Sequence, residues 1–205
     1  QLTILGEAFD VDIDKPDASV YLMFNDPQPI RNHMEWEEKT RIFLKDATEL
    51  CIIAQTGEWI TKETNKKYFN NFKNKGGKLN LITCEKFADA GMHSKRQIDV
   101  ERTLISMFGR QIEIRYLPWE GISEHIKLND KNQGMYMSRI EKSSVVAPVW
   151  VDNNVDGELL RKMFNNYWRD SKPSSCVNDV LPSSGRSRHS RPIFCLYQKI
   201  HFYHH

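Results

Sequence analysis

The constraint that narrows the fold most is an alternation of periods. Apolar runs at 20–24, 50–54, 78–83 and 112–117 are short and bounded by turn residues such as Asn25-Asp26-Pro27 and Gln55-Thr56-Gly57. Segments of helical period lie between them: 29–48 with Ile30, Met34, Thr40, Phe43, Leu44 and Ala47, 58–75 with Trp59, Ile60, Tyr68, Phe69 and Phe72, and 94–108 with Ile98, Val100, Leu104, Ile105, Met107 and Phe108. Buried strands separated by helices of this length require crossover units and parallel pairing. Gly76-Gly77 and Gly109 supply helix stops. After 117 the pattern changes to three strand-like runs, 125–128, 134–140 and 144–151, joined by tight links of which 129–132 is the clearest turn. A last helix over 156–169 carries Leu159, Leu160, Met163, Phe164, Tyr167 and Trp168 on one face. The expectation is an α/β domain with a mixed, mainly parallel sheet flanked by helices.

Residues 1–16 read as an arm or strand, 17–170 as the domain, and 171–205 as a polar tail of disordered or tag-like composition. The chain opens on Gln1 rather than Met, which reads as a fragment or processed form with room for a preceding domain. The acidic start has no basic region of the secretory kind, and no apolar run approaches the roughly 20 residues that span a bilayer. The net charge of +2 forces neither a nucleic-acid nor a membrane reading. Cys51, Cys84, Cys176 and Cys195 form no CxxC pair, and Cys51 and Cys84 sit in apolar runs as small core residues. A reducing, cytoplasmic setting, no metal and no cofactor are the expectations.

Chemistry-bearing residues converge on His125-x-Lys127. Alternation along a strand puts both side chains on one face. Phosphodiester cleavage uses such a pair: an imidazole to attack phosphorus or protonate the leaving group, an ammonium to hold phosphate oxygens. The plain alternative is an ordinary exposed strand face. Ends of parallel strands add Gln55, Thr56, Gly57, Thr83, Cys84, Glu85 and Trp119 as ligand-lining candidates. His93-Ser94-Lys95 reads as a helix start with Ser94 as its cap, and Arg96, Asp99, Glu101 and Arg102 as pairs along a helix surface. Lys62, Lys66, Lys67, Lys73, Lys75 and Lys78, interleaved with Tyr68 and Phe72, read as a basic face open to phosphate groups or as a solvated one.

At His125-x-Lys127 the chain resembles the phospholipase D-like superfamily over roughly 17–170. The element order, the His-x-Lys on the strand after the last crossover and the closing helix resemble one half of that fold. The family motif continues with an Asp five positions after the Lys and a Gly-Ser-x-Asn segment. Here Asn132 stands at that position, Asp130 is the nearest acid, and the later segment reads Met137-Ser138-Arg139-Ile140. The degraded layout is similar to the effector-sensing domains of TrmB-type transcriptional regulators, which have mostly lost the catalytic residues.

The resemblance implies a non-catalytic sensor whose small, phosphorylated or sugar-like ligand meets His125, Lys127, Asn129, Ser138, Thr56, Thr83 and Glu85. It also implies a homodimer, and nucleic-acid contact through an upstream domain. Two alternatives stay open. One is a metal-independent phosphodiesterase or nuclease with His125 as nucleophile and Lys127 as phosphate clamp. The other is a protein-interaction module that docks an acidic partner on the basic helix.

Overall fold

The structure is a computed structural model, and it describes residues 2–4, 7–9, 23–84, 92–117, 124–141, 144–145 and 148–174. Strands β1 (Leu2–Ile4) and β2 (Glu7–Phe9) form an antiparallel pair of their own. The main sheet is mixed and runs in the order β11-β6-β5-β4-β7-β8-β10-β3, with β9 paired to β8 off that path. Its strands are β3 (Gln28–Pro29), β4 (Glu49–Ile53), β5 (Lys78–Cys84), β6 (Ile112–Leu117), β7 (Glu124–Asn129), β8 (Gly134–Glu141), β9 (Ser144–Val145), β10 (Val149–Val151) and β11 (Lys172–Pro173). β4, β5 and β6 pair in parallel; β7 returns antiparallel against β4, and β8 antiparallel against β7. Strands β3, β4, β5, β6 and β8 therefore point one way, and β7, β10 and β11 the other.

Helices cover both faces. On one lie α1 (His33–Lys45), α2 (Glu58–Thr61), α3 (Glu63–Asn74) and α4 (Met92–Phe108); on the other lies α5 (Asn154–Asp170). Period-two alternation sorts the strand residues. Leu50, Ile52, Ala54, Leu79, Leu81, Ile112 and Ile114 join the α1–α4 layer, while Cys51, Ile53, Ile82, Ile126, Leu128 and Tyr136 join the α5 layer. Each large apolar side chain fully buried in these layers contributes roughly 1.5–3 kcal/mol. Cys51 is buried as expected, and its thiol is pushed up to about 11 by burial and by the nearby Glu49 charge.

The structure departs from the sequence expectations where local contacts outweigh periodicity. The strand expected at 20–24 falls partly outside the described residues. Its described end is not a strand: Met23 is helical, and Phe24 is buried in irregular chain, edge-on to Tyr136 at 5.3 Å. That course is set by Asp156, which accepts hydrogen bonds from Asn25 N (2.9 Å), Asn25 Nδ2 (3.1 Å) and Asp26 N (3.1 Å). The first helix starts later than 29, because Pro29 belongs to β3 and Asn32 caps the helix by accepting from Glu35 N at 3.0 Å. Met34, expected on its apolar stripe, is 81% exposed, and Trp36 is buried instead. Ser94 lies inside α4 rather than at its cap. The segment 58–75 breaks at Lys62, whose ψ of 141° is extended. The segment 144–151 forms β9 and β10 rather than one strand, with Pro148 just before β10. Lys172–Pro173, expected in the tail, form the edge strand β11 against β6; 175–205 lie outside the described residues.

The turn after β7 is locked in place. Asn132 takes a φ of 58°, and Gly157 passes so close that a Cβ there would lie 2.2 Å from Asn132 O. Gly157→Ala is therefore expected to destabilise the fold by roughly 2 kcal/mol or more through this clash with backbone, although alanine is about 1 kcal/mol the better helix former. Urea melts of the two proteins check this.

Two carboxylates tie distant segments together. For Asp156 burial alone would raise the pKa, but hydrogen bonds from Asn153, Asn25 and Asp26 hold it below the usual range. Asp130 behaves alike, with Thr48 N, Thr48 Oγ1 and Glu49 N as its donors. A carboxyl group depressed in the folded state adds stability above its unfolded value of roughly 3.9, and that stability is lost as pH falls through the folded value. Asp156→Asn is expected to flatten the acid limb of the stability–pH curve below about pH 4, measured by denaturant melts at each pH.

Candidate functional site

The carboxyl ends of β4, β5 and β6 and the start of β7 lie at one end of the sheet. Following the register there, Tyr116 pairs with Thr83. Thr83 lies beside Ala54, because Ile53 pairs with Ile82 and Ala54 N donates to Ile82 O at 3.0 Å. Ala54 lies beside His125 by continuation of the Ile53–Ile126 pair, and His125 pairs with Met137. One row across the sheet thus reads Tyr116, Thr83, Ala54, His125, Met137, and it faces the α1–α4 layer. The next row inward reads Ile114, Leu81, Ile52, Lys127, Met135. It is apolar except for one lysine.

Lys127 is 4% exposed. Its Nζ lies 3.8 Å from the ring centre of Trp36, on α1, and 3.6 Å from that of Trp59, on α2. It has no hydrogen-bond partner among the described residues. Burial holds its pKa well below the ordinary lysine value of 10.5. Two indole faces attract an ammonium, each worth about 2 kcal/mol when dry, but stripping an ion of water costs several, and no carboxylate among the described residues pairs with it. The amine is accordingly driven towards its neutral form.

Beside the row, α4 contributes a polar network. Gln97 Nε2 donates to Thr83 Oγ1 (3.2 Å) and to Glu101 Oε1 (3.1 Å). Tyr116 OH donates to Glu101 Oε2 and lies 2.9 Å from Ser174 Oγ. Glu101 is 1% exposed, and this corrects its reading as a member of surface pairs along the helix. Gln97, Val100, Glu101, Leu104, Ile105 and Phe108 occupy one helical stripe, so two polar residues within an apolar stripe were the signal for this cluster.

The residues singled out from sequence fall into three places. His125, Lys127, Thr83 and, in the loop after β4, Thr56 share the α1–α4 side at this end. The Thr56 hydroxyl accepts from Glu58 N at 3.3 Å. Ser138 pairs with Glu124 on the opposite face, in the α5 layer beside Tyr136, whose hydroxyl is pushed up to about 12 by burial and by the Glu124 charge. Asn129 shares the face of Lys127 but sits at the far end of β7. Its amide is consumed there by Phe43 O (3.1 Å), Gln133 Oε1 (3.2 Å), Lys131 N (2.9 Å) and Gln133 N (3.0 Å). Glu85 and Trp119 lie outside the described residues. Trp36, Trp59, Gln97, Tyr116 and Ser174 were not singled out as site residues by sequence.

The lysines of the α2–α3 face are variously engaged. Lys66 pairs with Glu63 at 2.9 Å, Lys67 lies over Tyr68, and Lys75 donates to Lys45 O. Among the described residues no group of three His, Cys, Asp or Glu side chains is placed to hold a metal ion, and no helix is long and apolar enough to cross a membrane.

Lys127→Met is expected to stabilise the fold, because a similar apolar volume replaces an amine whose charged form burial disfavours. Between the folded value and 10.5 the unfolded chain holds one proton more than the folded one, so wild-type stability rises with pH by roughly 1.4 kcal/mol per unit. The advantage of the variant shrinks accordingly and levels off above about pH 10.5; melts at successive pH values measure it.

No protein-family model matches the sequence, and no curated protein does. Among solved structures the chain is similar to TrmBL2, an archaeal chromatin protein described as showing a novel mode of DNA binding, at 16% identity and a TM-score of 0.49 over 73% of this chain. It spans about half of that protein, 54% of its chain. It is similar also to Nuc from Salmonella typhimurium, a phospholipase D family member, at 12% identity and a TM-score of 0.47 over 67% of this chain and 88% of that one. The two structural similarities are thus to a TrmB-like protein and to a phospholipase D, and no activity or site residue is carried over from either.

Proposed function

We propose that this chain is a non-catalytic, ligand-sensing regulatory domain whose ligand sits on the row of Tyr116, Thr83, Ala54 and His125. One observation carries the reading: the Lys127 amine is enclosed between Trp36 and Trp59. A phosphate clamp needs a charged ammonium open to the phosphate oxygens, and this amine is enclosed, with burial disfavouring its charged form. The position of the acid in the phospholipase D motif is also not filled by an acid. Asn132, at its position, lies past the opposite end of β7, where its Oδ1 accepts from Arg161 Nε at 3.3 Å. The ends of parallel strands remain the place where an α/β sheet takes ligands, and polar side chains gather there. The reading extends to a homodimer and to service within a longer regulator, as the family resemblance implies.

Two assays on the intact chain test it. Bis(p-nitrophenyl) phosphate in EDTA is expected to be hydrolysed no faster by the wild type than by His125→Ala. A panel of small metabolites is expected to contain a ligand that, near 100 times its Kd, adds about 2.7 kcal/mol of stability. That corresponds to a melting temperature higher by roughly 5–10 °C for a domain of this size. EDTA-resistant hydrolysis abolished by His125→Ala would make the chain an enzyme and end the proposal.

A further inference from the structure

The outer face of α1 carries charges that meet nothing within the described chain. Trp36, Thr40, Phe43 and Leu44 are buried on its inner side, which leaves Met34, Glu38, Arg41 and Lys45 exposed on the other. Their steps of four, three and four residues set them in one straight stripe, roughly 16 Å long. Met34 is 81% exposed, more than any other large apolar side chain among the described residues. Glu38 and Arg41 lie one turn apart, yet neither they nor Lys45 form an ion pair among the described residues. Along the stripe, between α1 and α3, run two open clefts that share Arg41 and Tyr68. The larger, of about 480 Å³, is lined by Glu35, Glu37 and Glu38; the smaller, of about 200 Å³, by Lys45 and Lys75. The face is therefore acidic towards the start of the helix and basic towards its end, with an unburied methionine upon it.

We propose that this stripe is the contact between two copies of the chain, their α1 helices antiparallel and crossing level with Lys39 and Thr40. The inference rests on the homodimer in the reading above and names its contact face. A two-fold contact needs a surface that complements itself, each residue meeting the one that meets it in return. Reversed end for end, the positions 34, 38, 41 and 45 fall on 45, 41, 38 and 34 of the second copy. Glu38 then faces the partner's Arg41, and Arg41 faces the partner's Glu38, so one contact forms two ion pairs. Met34 falls against the hydrocarbon stem of the partner's Lys45, whose ammonium stays in water. Packed helices lie roughly 8–10 Å apart, within reach of side chains of this length. Other occupants suit only half of the face. A nucleic acid or an acidic segment would be repelled by Glu37 and Glu38, and a basic segment by Arg41, Lys45 and Lys75. An apolar helix would cover Glu38 and Arg41 and offer neither a counter-charge. A second copy turned about the two-fold brings acid to base at both ends.

The test is sedimentation equilibrium of the intact chain over a dilution series, at low and at high salt. The wild type is expected to dimerise, more weakly as salt screens the ion pairs. Glu38→Arg and Arg41→Glu each place like charges together twice in every dimer, so each is expected to raise the dimer Kd roughly ten-fold or more. Both residues are exposed, and an unchanged melting curve shows that each variant folds. The double variant Glu38→Arg/Arg41→Glu restores two opposite-charge pairs and is expected to dimerise as the wild type does. The two single variants, mixed, also bring opposite charges together at both crossings. They are expected to associate with each other although each alone stays monomeric. A dimer that survives either single reversal, or one that neither the double variant nor the mixture restores, overturns the α1 contact and leaves the homodimer standing on another face. A wild type that stays monomeric at every concentration ends both, and the ligand assays then judge the sensor reading separately.

Discussion

An amine pressed between two indoles, in a strand row that is otherwise apolar, is the constraint on which the rest of this molecule depends. Lys127 occupies a core position: its cross-strand neighbours are Ile52 and Met135, and the side chains above it are Trp36 and Trp59. A lysine there costs free energy that a methionine would not. The cation–π attraction of two rings offsets part of the desolvation of a charge, and loss of the proton removes the remainder. The same residue therefore bears on stability through its proton.

The two ends of β7 are built to different ends. Past Asn129, polar groups satisfy one another: the Asn129 amide, the Asp130 carboxylate on Thr48 and Glu49, and Arg161 on Asn129 O and Asn132 Oδ1. That end is a fastening. At the other end Gln97, Trp59 and Lys127 keep hydrogen-bonding capacity unused among the described residues. Buried polar atoms without partners are costly in a finished core, and these three lie towards the carboxyl end of the parallel strands.

Much of the fold was legible. The runs at 50–54, 78–83 and 112–117 became β4, β5 and β6 with little change, since a buried strand between helices needs nothing beyond its own apolar side chains and the turns that bound it. The site was legible only in part. That His125 and Lys127 share a face follows from alternation. That Lys127 is enclosed does not, because it depends on Trp36 and Trp59, which are distant in sequence and reach β7 from two different helices. Ser138 read as a partner of His125 by its place in a motif, yet the pairing of β8 with β7 puts it on the other face. Glu101 read as one of a run of i,i+3 and i,i+4 charge pairs along a helix; its place in the stripe with Leu104 and Phe108 makes it an interior residue.

What the sequence determined alone is local: the periods that make strands and helices, the turns between them, and which side chains within one strand point together. These depend on backbone geometry and on neighbours a few residues away. What only the tertiary structure decided is which strand lies beside which, and so which polar groups meet. The row of Tyr116, Thr83, Ala54 and His125 draws on four separate stretches of chain, and the slot around Lys127 on three. No periodicity within a single segment encodes those meetings, because they arise from the packing of whole elements against one another.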